Sequence, residues 1–259
     1  MKSKIMFPAV ALSLSLFLSP VSAGTIAFFD NALFTDPPEE SANLAASLTA
    51  LGHTLNTFSG FTAADWITAT TGVDLLVIPE LDSDDLNGSL DAAARAAIAS
   101  YVSGGGGLLM FDRSSFETPN LLNAVFGYSL VGGSISGDQT LNAIAAAGTV
   151  FAGGPATVPQ SDATEPFDTA SLPAGALSIY SQGTGTSVFV TDFGSGRIGF
   201  LGFDWFEVPT PTEWETVLGS AVTYVSANAE AVPEPATLLM LAGGLGLLAL
   251  RKRRQSISQ

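Results

Sequence analysis

The sequence predicts an α/β three-layer sandwich with a mainly parallel central sheet, on three observations. Residues 25–30 and 74–79 are apolar at nearly every position rather than alternating, as strands covered on both faces are. Segments with apolar residues at helical spacing lie between such runs. The resulting β-α units are long enough for crossover connections, which join parallel neighbours and place helices on both faces.

The elements follow in order. Residues 25–30 read as the first central strand. A helix is expected next, with Asp36 as cap, Pro37 at its first position, Glu39 in its first turn, Leu44, Leu48 and Leu51 on one face and Gly52 as its stop. Strands at 54–58 and 74–79 are followed by an acidic loop, in which residues 87–89 read as the cap of a helix over 90–102. Leu90, Ala94, Ala97, Ile98 and Tyr101 form the apolar stripe of that helix. The glycines at 104–107 follow a helix and open the strand at 108–111, so they make a turn; a phosphate-binding loop has the reverse order, strand then helix. Residues 128–179, rich in Gly, Ala, Ser and Thr, are read as irregular strands and an insertion. Strands at 186–192 and 197–204 form a hairpin through Gly194, Ser195 and Gly196. A final helix is expected to open on a Thr212–Glu215 capping box and to bury Trp214, Val217, Leu218, Ala221, Val222 and Val225.

The two ends differ from this middle. Lys2 and Lys4 precede an apolar run over 5–18, then Pro20 and the small residues Ser22 and Ala23, the pattern of a secretory signal peptide cleaved after Ala23. The run, about 14 residues, is short for a span of roughly 20. The expected partners at this end are the Sec translocon and signal peptidase. At the other end Val232, Pro233, Glu234 and Pro235 precede an apolar stretch over 236–250 and the basic cluster Arg251, Lys252, Arg253 and Arg254. As a helix that stretch rises about 22 Å, less than a bilayer core of about 30 Å, so it is a marginal anchor. The basic cluster is retained on the cytoplasmic side, which places the middle outside.

These residues resemble the PEP-CTERM sorting signal of Gram-negative bacteria. The resemblance implies recognition of Pro233, Glu234 and Pro235 by exosortase, a membrane-embedded protease, with 251–254 as the basic end. It also implies a transient inner-membrane intermediate and a final place at the cell surface or in the exopolysaccharide matrix. The expected organisation is a signal peptide at 1–23, a domain at 24–225, a linker at 226–231, the sorting signal with a short transmembrane helix at 232–254, and a tail at 255–259.

Residues 24–231 carry three arginines against 23 acids, a formal charge of −20. Such a surface repels nucleic acid and favours divalent cations. The chain has no cysteine, which excludes disulfides, thiolate metal sites and a cysteine nucleophile, and one histidine, His53, which is expected in a structural turn.

The segments 51–53, 74–79, 101–111 and 196–204 together resemble the class I glutamine-amidotransferase-like fold, a flavodoxin-like arrangement. In catalytic members of that fold a cysteine occupies a tight elbow after the strand that ends here at Phe111, and a later histidine and acid complete the site. This chain has Asp112, Arg113 and Ser114 at the elbow and Asp204, Trp205 and Phe206 later. The departure removes amidotransferase chemistry, and the expectation is a non-catalytic binding or structural domain, with extracellular polysaccharide as a candidate ligand.

Asp30, Glu80, Asp112 and Asp204 each follow a predicted strand at its carboxyl end, the edge where open α/β sheets bind ligands. They define a candidate crevice, with Arg113 and Trp205 beside it. Asp82, Asp84 and Asp85 are candidate ligands for calcium, although Leu86 stands where a calcium loop requires an oxygen donor. The rival expectation is a carboxylate- or metal-dependent hydrolase acting on extracellular glycans. The processing prediction is direct: mass spectrometry of the surface-displayed protein finds Gly24 at the amino terminus and no residues beyond the Pro233–Pro235 region, whereas a chain ending in Gln259 rules out exosortase cleavage.

Overall fold

The computed structural model describes residues 24–112, 117–161, 164–206 and 208–226. The signal peptide, Arg113, the linker beyond Ser226 and the sorting signal lie outside the described residues.

The chain runs through β1 (Thr25–Phe29), α1 (Glu40–Ala50), β2 (Thr54–Phe58), α2 (Ala63–Thr70), β3 (Leu75–Ile78), α3 (Leu86–Ser89), α4 (Ala92–Ser103), β4 (Gly107–Phe111) and α5 (Glu117–Phe126). It continues through β5 (Gln139–Leu141), α6 (Ala143–Ala146), β6 (Thr157–Val158), β7 (Phe167–Asp168), β8 (Leu177–Gln182), β9 (Gly185–Phe193), β10 (Gly196–Leu201) and α7 (Thr212–Ser226). One mixed sheet has the order β2-β1-β3-β4-β10-β9-β8-β5-β6, with β7 also on β9. From β2 to β10 the neighbours are parallel. From β10 outward they are antiparallel.

The apolar runs are explained by burial on both sides. In β1, Ile26 and Phe28 join one core with α1 and α7, while Ala27 and Phe29 join a second core with Trp66 of α2 and with α4. Strands β3, β4 and β9 divide in the same way, since successive side chains point to opposite faces. Helix α7 buries the six residues expected of it, and Trp214 stacks on Phe203 at 5.1 Å while its Nε1 donates to the Pro159 carbonyl at 2.9 Å.

Several local readings are corrected. Helix α1 starts at Glu40, not Pro37, and Glu39 precedes it. The cause is Pro38, which disfavours helical geometry at the residue before it; the turn is closed instead by the Asp36 carbonyl, which accepts from Ser41 N at 3.1 Å. Residues 86–89 form their own turn, and Asp91 caps α4 by accepting from Ala94 N at 2.7 Å. Helix α7 has no capping box: it begins at Thr212, and Glu215 Oε1 accepts from the Ser47 hydroxyl on α1 at 2.6 Å. Sequence reasoning gave no helix for α2, although Thr62 and Asp65 form a reciprocal capping box there. It also gave none for α5. The glycine turn is as read, with Gly105 at φ +113°.

Gly107 and Gly196 open β4 and β10 where the backbone is crowded. A Cβ at Gly107 would strike the Val225 carbonyl, and one at Gly196 would strike those of Val102 and Gly106. The packing predicts a contrast measurable by thermal or denaturant unfolding. Trp214→Ala, at a fully buried ring, costs about 3–5 kcal/mol, whereas Ile144→Ala, at a side chain 90% exposed, changes stability by less than about 0.5 kcal/mol.

Candidate acidic site at the carboxyl edge of the sheet

Strands β3, β4 and β10 are adjacent and parallel, with Ile78 opposite Met110 and Phe111 opposite Leu201. Their carboxyl ends therefore release the chain side by side. Glu80 follows β3, Asp112 follows β4, and Asp204 follows β10 after Gly202 and Phe203. Helix α1 contributes Glu40 from its first turn.

These carboxylates converge. One oxygen each from Glu40, Glu80 and Asp204 lies within 4.8 Å of the others, and Asp36, Glu40 and Asp82 form a second trio with the same limit. Glu40 is common to both. Asp112 extends the cluster through a side-chain hydrogen bond with Glu80. Glu40 Oε2 and Glu80 Oε2 are shielded from solvent and have no hydrogen-bond partner among the described residues.

The electrostatics follow from crowding like charges out of water. Glu40 is pushed up to about 8, by burial first and then by the charges of Asp204, Asp82 and Asp36. Glu80 is driven well above the usual carboxylate range by burial, by the negative charges of Asp112, Glu40 and Asp204, and by its hydrogen bond to Asp112. The surroundings therefore favour the neutral form of Glu80.

Asp112 is buried, its backbone N–H donates to the Leu201 carbonyl at 2.9 Å, and its Oδ1 accepts from Glu165 N at 3.2 Å. It has φ +26°, the sole positive φ at a non-glycine among the described residues. Asp204 Oδ1 accepts from Phe206 N at 2.6 Å.

The structure therefore gathers Glu80, Asp112 and Asp204 and leaves other expected members out. Asp30 accepts from the Thr35 hydroxyl at 3.2 Å and belongs to neither trio. Trp205 is a core residue, not a crevice wall: its ring packs edge-on against Phe111 and Phe203, and its Nε1 donates to Ser47 Oγ at 3.3 Å. Within the acidic loop only Asp82 joins a trio, while Asp84 Oδ1 accepts from Asp85 N at 2.8 Å. His53 lies at the opposite edge, accepts from Gly24 N at 3.4 Å, and is pushed down by burial, as suits a structural residue. Glu40 and Asp36 were missed as ligands because an acid at a helix start is the ordinary complement of the helix dipole. Nothing in the sequence marks Glu40 as facing Glu80, or Asp36 as facing Asp82.

Three comparisons bear on this arrangement. Residues 231–254 match the PEP-CTERM protein-sorting motif. The protein is thus exported and processed at the membrane by exosortase. Curated protein sequences give no match. Among solved structures, a ThuA-like protein from Bacteroides uniformis superposes with a TM-score of 0.54 at 14% identity, covering 86% of this chain and 97% of its own. A ThuA-like protein from Parabacteroides merdae gives 0.55 at 14%, covering 81% and 92%. A cytoplasmic protein from Salmonella typhimurium gives 0.54 at 12%, covering 78% and 98%. The fold is that of the class I glutamine-amidotransferase-like group, and at these identities the likeness concerns the fold alone. Asp112 sits at the elbow position where that resemblance implies a cysteine.

The raised carboxyls predict a pH dependence with a definite sign. A carboxyl whose folded pKa lies above its unfolded value keeps its proton only in the folded state between the two, so stability falls as pH rises through that interval. For Glu40 the interval is from 4.5 to about 8. His53, which is lowered, acts in the opposite direction below 6.5. The measurement is therefore a difference: Glu40→Gln raises the melting temperature relative to the unmodified protein, by an amount that grows from pH 4.5 to 8 and then levels.

Proposed function

We propose that the protein is a non-catalytic, surface-directed binding domain whose acidic edge takes a hard divalent cation, calcium above all. The observation that carries this reading is the Glu40–Glu80–Asp204 trio, three carboxylates within 4.8 Å of one another, with two shielded oxygens that have no hydrogen-bond partner among the described residues. All donors are carboxylate oxygens, which suit calcium or magnesium and not a soft metal. Three close carboxylates bring a surplus of negative charge that a proton neutralises in part and a divalent ion neutralises better. The cell surface or extracellular matrix is the proposed destination, and extracellular polysaccharide, itself often bridged by cations, is the proposed neighbour.

The rival reading is a carboxylate- or metal-dependent hydrolase of extracellular glycans. Its support is the contact between Glu80, driven above the usual carboxylate range, and a second carboxyl, that of Asp112. Glycosidases, however, bracket the scissile bond with carboxyls about 5–5.5 Å apart or more. A hydrogen-bonded pair leaves no room for a sugar between its members, so the geometry favours a cation.

Calorimetry with calcium chloride on the purified protein tests the proposal. The expected result is saturable binding with proton release, tightening as pH rises toward 8 because the cation displaces the Glu40 proton. Asp204→Asn weakens binding by about tenfold or more, since affinity at such sites follows the count of charged ligands. A flat titration with calcium and magnesium overturns the reading. Release of sugar from extracellular glycans that is lost in Asp112→Asn establishes the rival.

A further inference from the structure

The acidic site is at one end of the parallel strands, and both ends of the described chain are at the other. Gly24 immediately precedes β1 and pairs with the chain entering β2, its carbonyl accepting from Thr54 N at 3.0 Å. At the far end, Arg197 Nη1, at the start of β10, donates to the Tyr224 carbonyl at 2.9 Å, and its guanidinium lies 4.6 Å from the centre of that ring. The Val225 carbonyl packs on Gly107, the first residue of β4. The junctions with the signal peptide and with the sorting tail thus leave from the same amino-terminal edge.

We infer that this amino-terminal edge is the membrane-facing surface of the anchored intermediate, and that the acidic site is held on the side away from the bilayer. The inference rests on the sorting motif at 231–254 and is independent of what the acidic site binds.

Tether length supports it. Helix α7 has 15 residues and carries the chain about 22 Å from the acidic edge to the amino edge. The six residues between Ser226 and Pro233 reach at most about 25 Å. Turning the acidic site toward the membrane would require them to retrace the whole of α7, leaving almost no slack.

Charge supports it independently. Segments 30–40 and 80–85, at the carboxyl edge, contain eight acids. The amino-edge turns at 51–53, 71–74, 104–106 and 194–195 contain one, Asp74, among glycines and small residues. An anionic bilayer surface repels the first edge far more than the second. The arrangement leaves the anchored domain with its ligand site facing outward and its tail close to a membrane-embedded protease.

The chain has no cysteine, so single-cysteine variants report position cleanly. Thr71→Cys and Ser195→Cys mark the amino edge; Ala32→Cys and Ser83→Cys mark the acidic edge, and all four residues are exposed. Each full-length variant is labelled with a donor dye and reconstituted in phosphatidylethanolamine–phosphatidylglycerol vesicles containing an acceptor-labelled lipid. Energy transfer from Thr71→Cys and Ser195→Cys is expected to exceed that from the other pair by about twofold or more, as suits positions about 22 Å nearer the bilayer. Equal or reversed transfer overturns the orientation. Absence of transfer at all four overturns the anchored state itself, and calcium calorimetry on the same variants tells either outcome apart from failure of the cation reading.

Discussion

Neighbouring parallel strands end at the same edge, and in this protein three such neighbours, β3, β4 and β10, are each followed within three residues by an acid. The sheet cannot separate them without breaking the register that opposes Ile78 to Met110 and Phe111 to Leu201. The rest of the site follows from that constraint. Glu80, Asp112 and Asp204 are held within the reach of one another by backbone hydrogen bonding, and α1 then adds Glu40 to a position already negative. The two apolar cores on the faces of the sheet fix these strands from both sides.

Crowding of this kind has a few outlets. One carboxyl can keep its proton, and the surroundings favour this at Glu80. Backbone N–H groups can be turned toward the charge, as Phe206 N is toward Asp204 and Glu165 N toward Asp112. A cation can fill the gap. Protons and backbone donors satisfy part of the set, while Glu40 Oε2 and Glu80 Oε2 have no partner among the described residues. On the proposed reading a proton and a cation compete for the same oxygens, which would link pH, stability and binding at this one edge.

Asp112 has a positive φ directly after β4, at the position where the resemblance implies a cysteine. An aspartate tolerates this backbone region better than most residues, because its short polar side chain hydrogen-bonds locally. The chain has no cysteine and His53 lies at the opposite edge, so the described groups that converge at the carboxyl edge are carboxyls.

The sequence by itself determined the sorting signal, the parallel half of the sheet and the faces of its main helices. Each of these depends on local pattern: the order of a Pro-Glu-Pro motif, an apolar stretch and a basic cluster, or the period of buried residues in α4 and α7. It also placed Glu80, Asp112 and Asp204 at strand ends, because strand ends can be read from where apolar runs stop. Only the tertiary structure decided which of the acids meet. Asp30 and Asp82 were equal candidates in the sequence, yet Asp30 turns to Thr35 and Asp82 turns to Asp36 and Glu40. Trp205, expected beside the crevice, proved to be core, because its ring packs edge-on against Phe111 and Phe203. In the antiparallel half the β9–β10 hairpin was legible, while β5, β6 and β7 were hidden, since these short strands are defined by partners distant in sequence. Convergence of side chains from β3, β10 and α1 depends on strand order and on how α1 packs against the sheet. Neither quantity has a local signature.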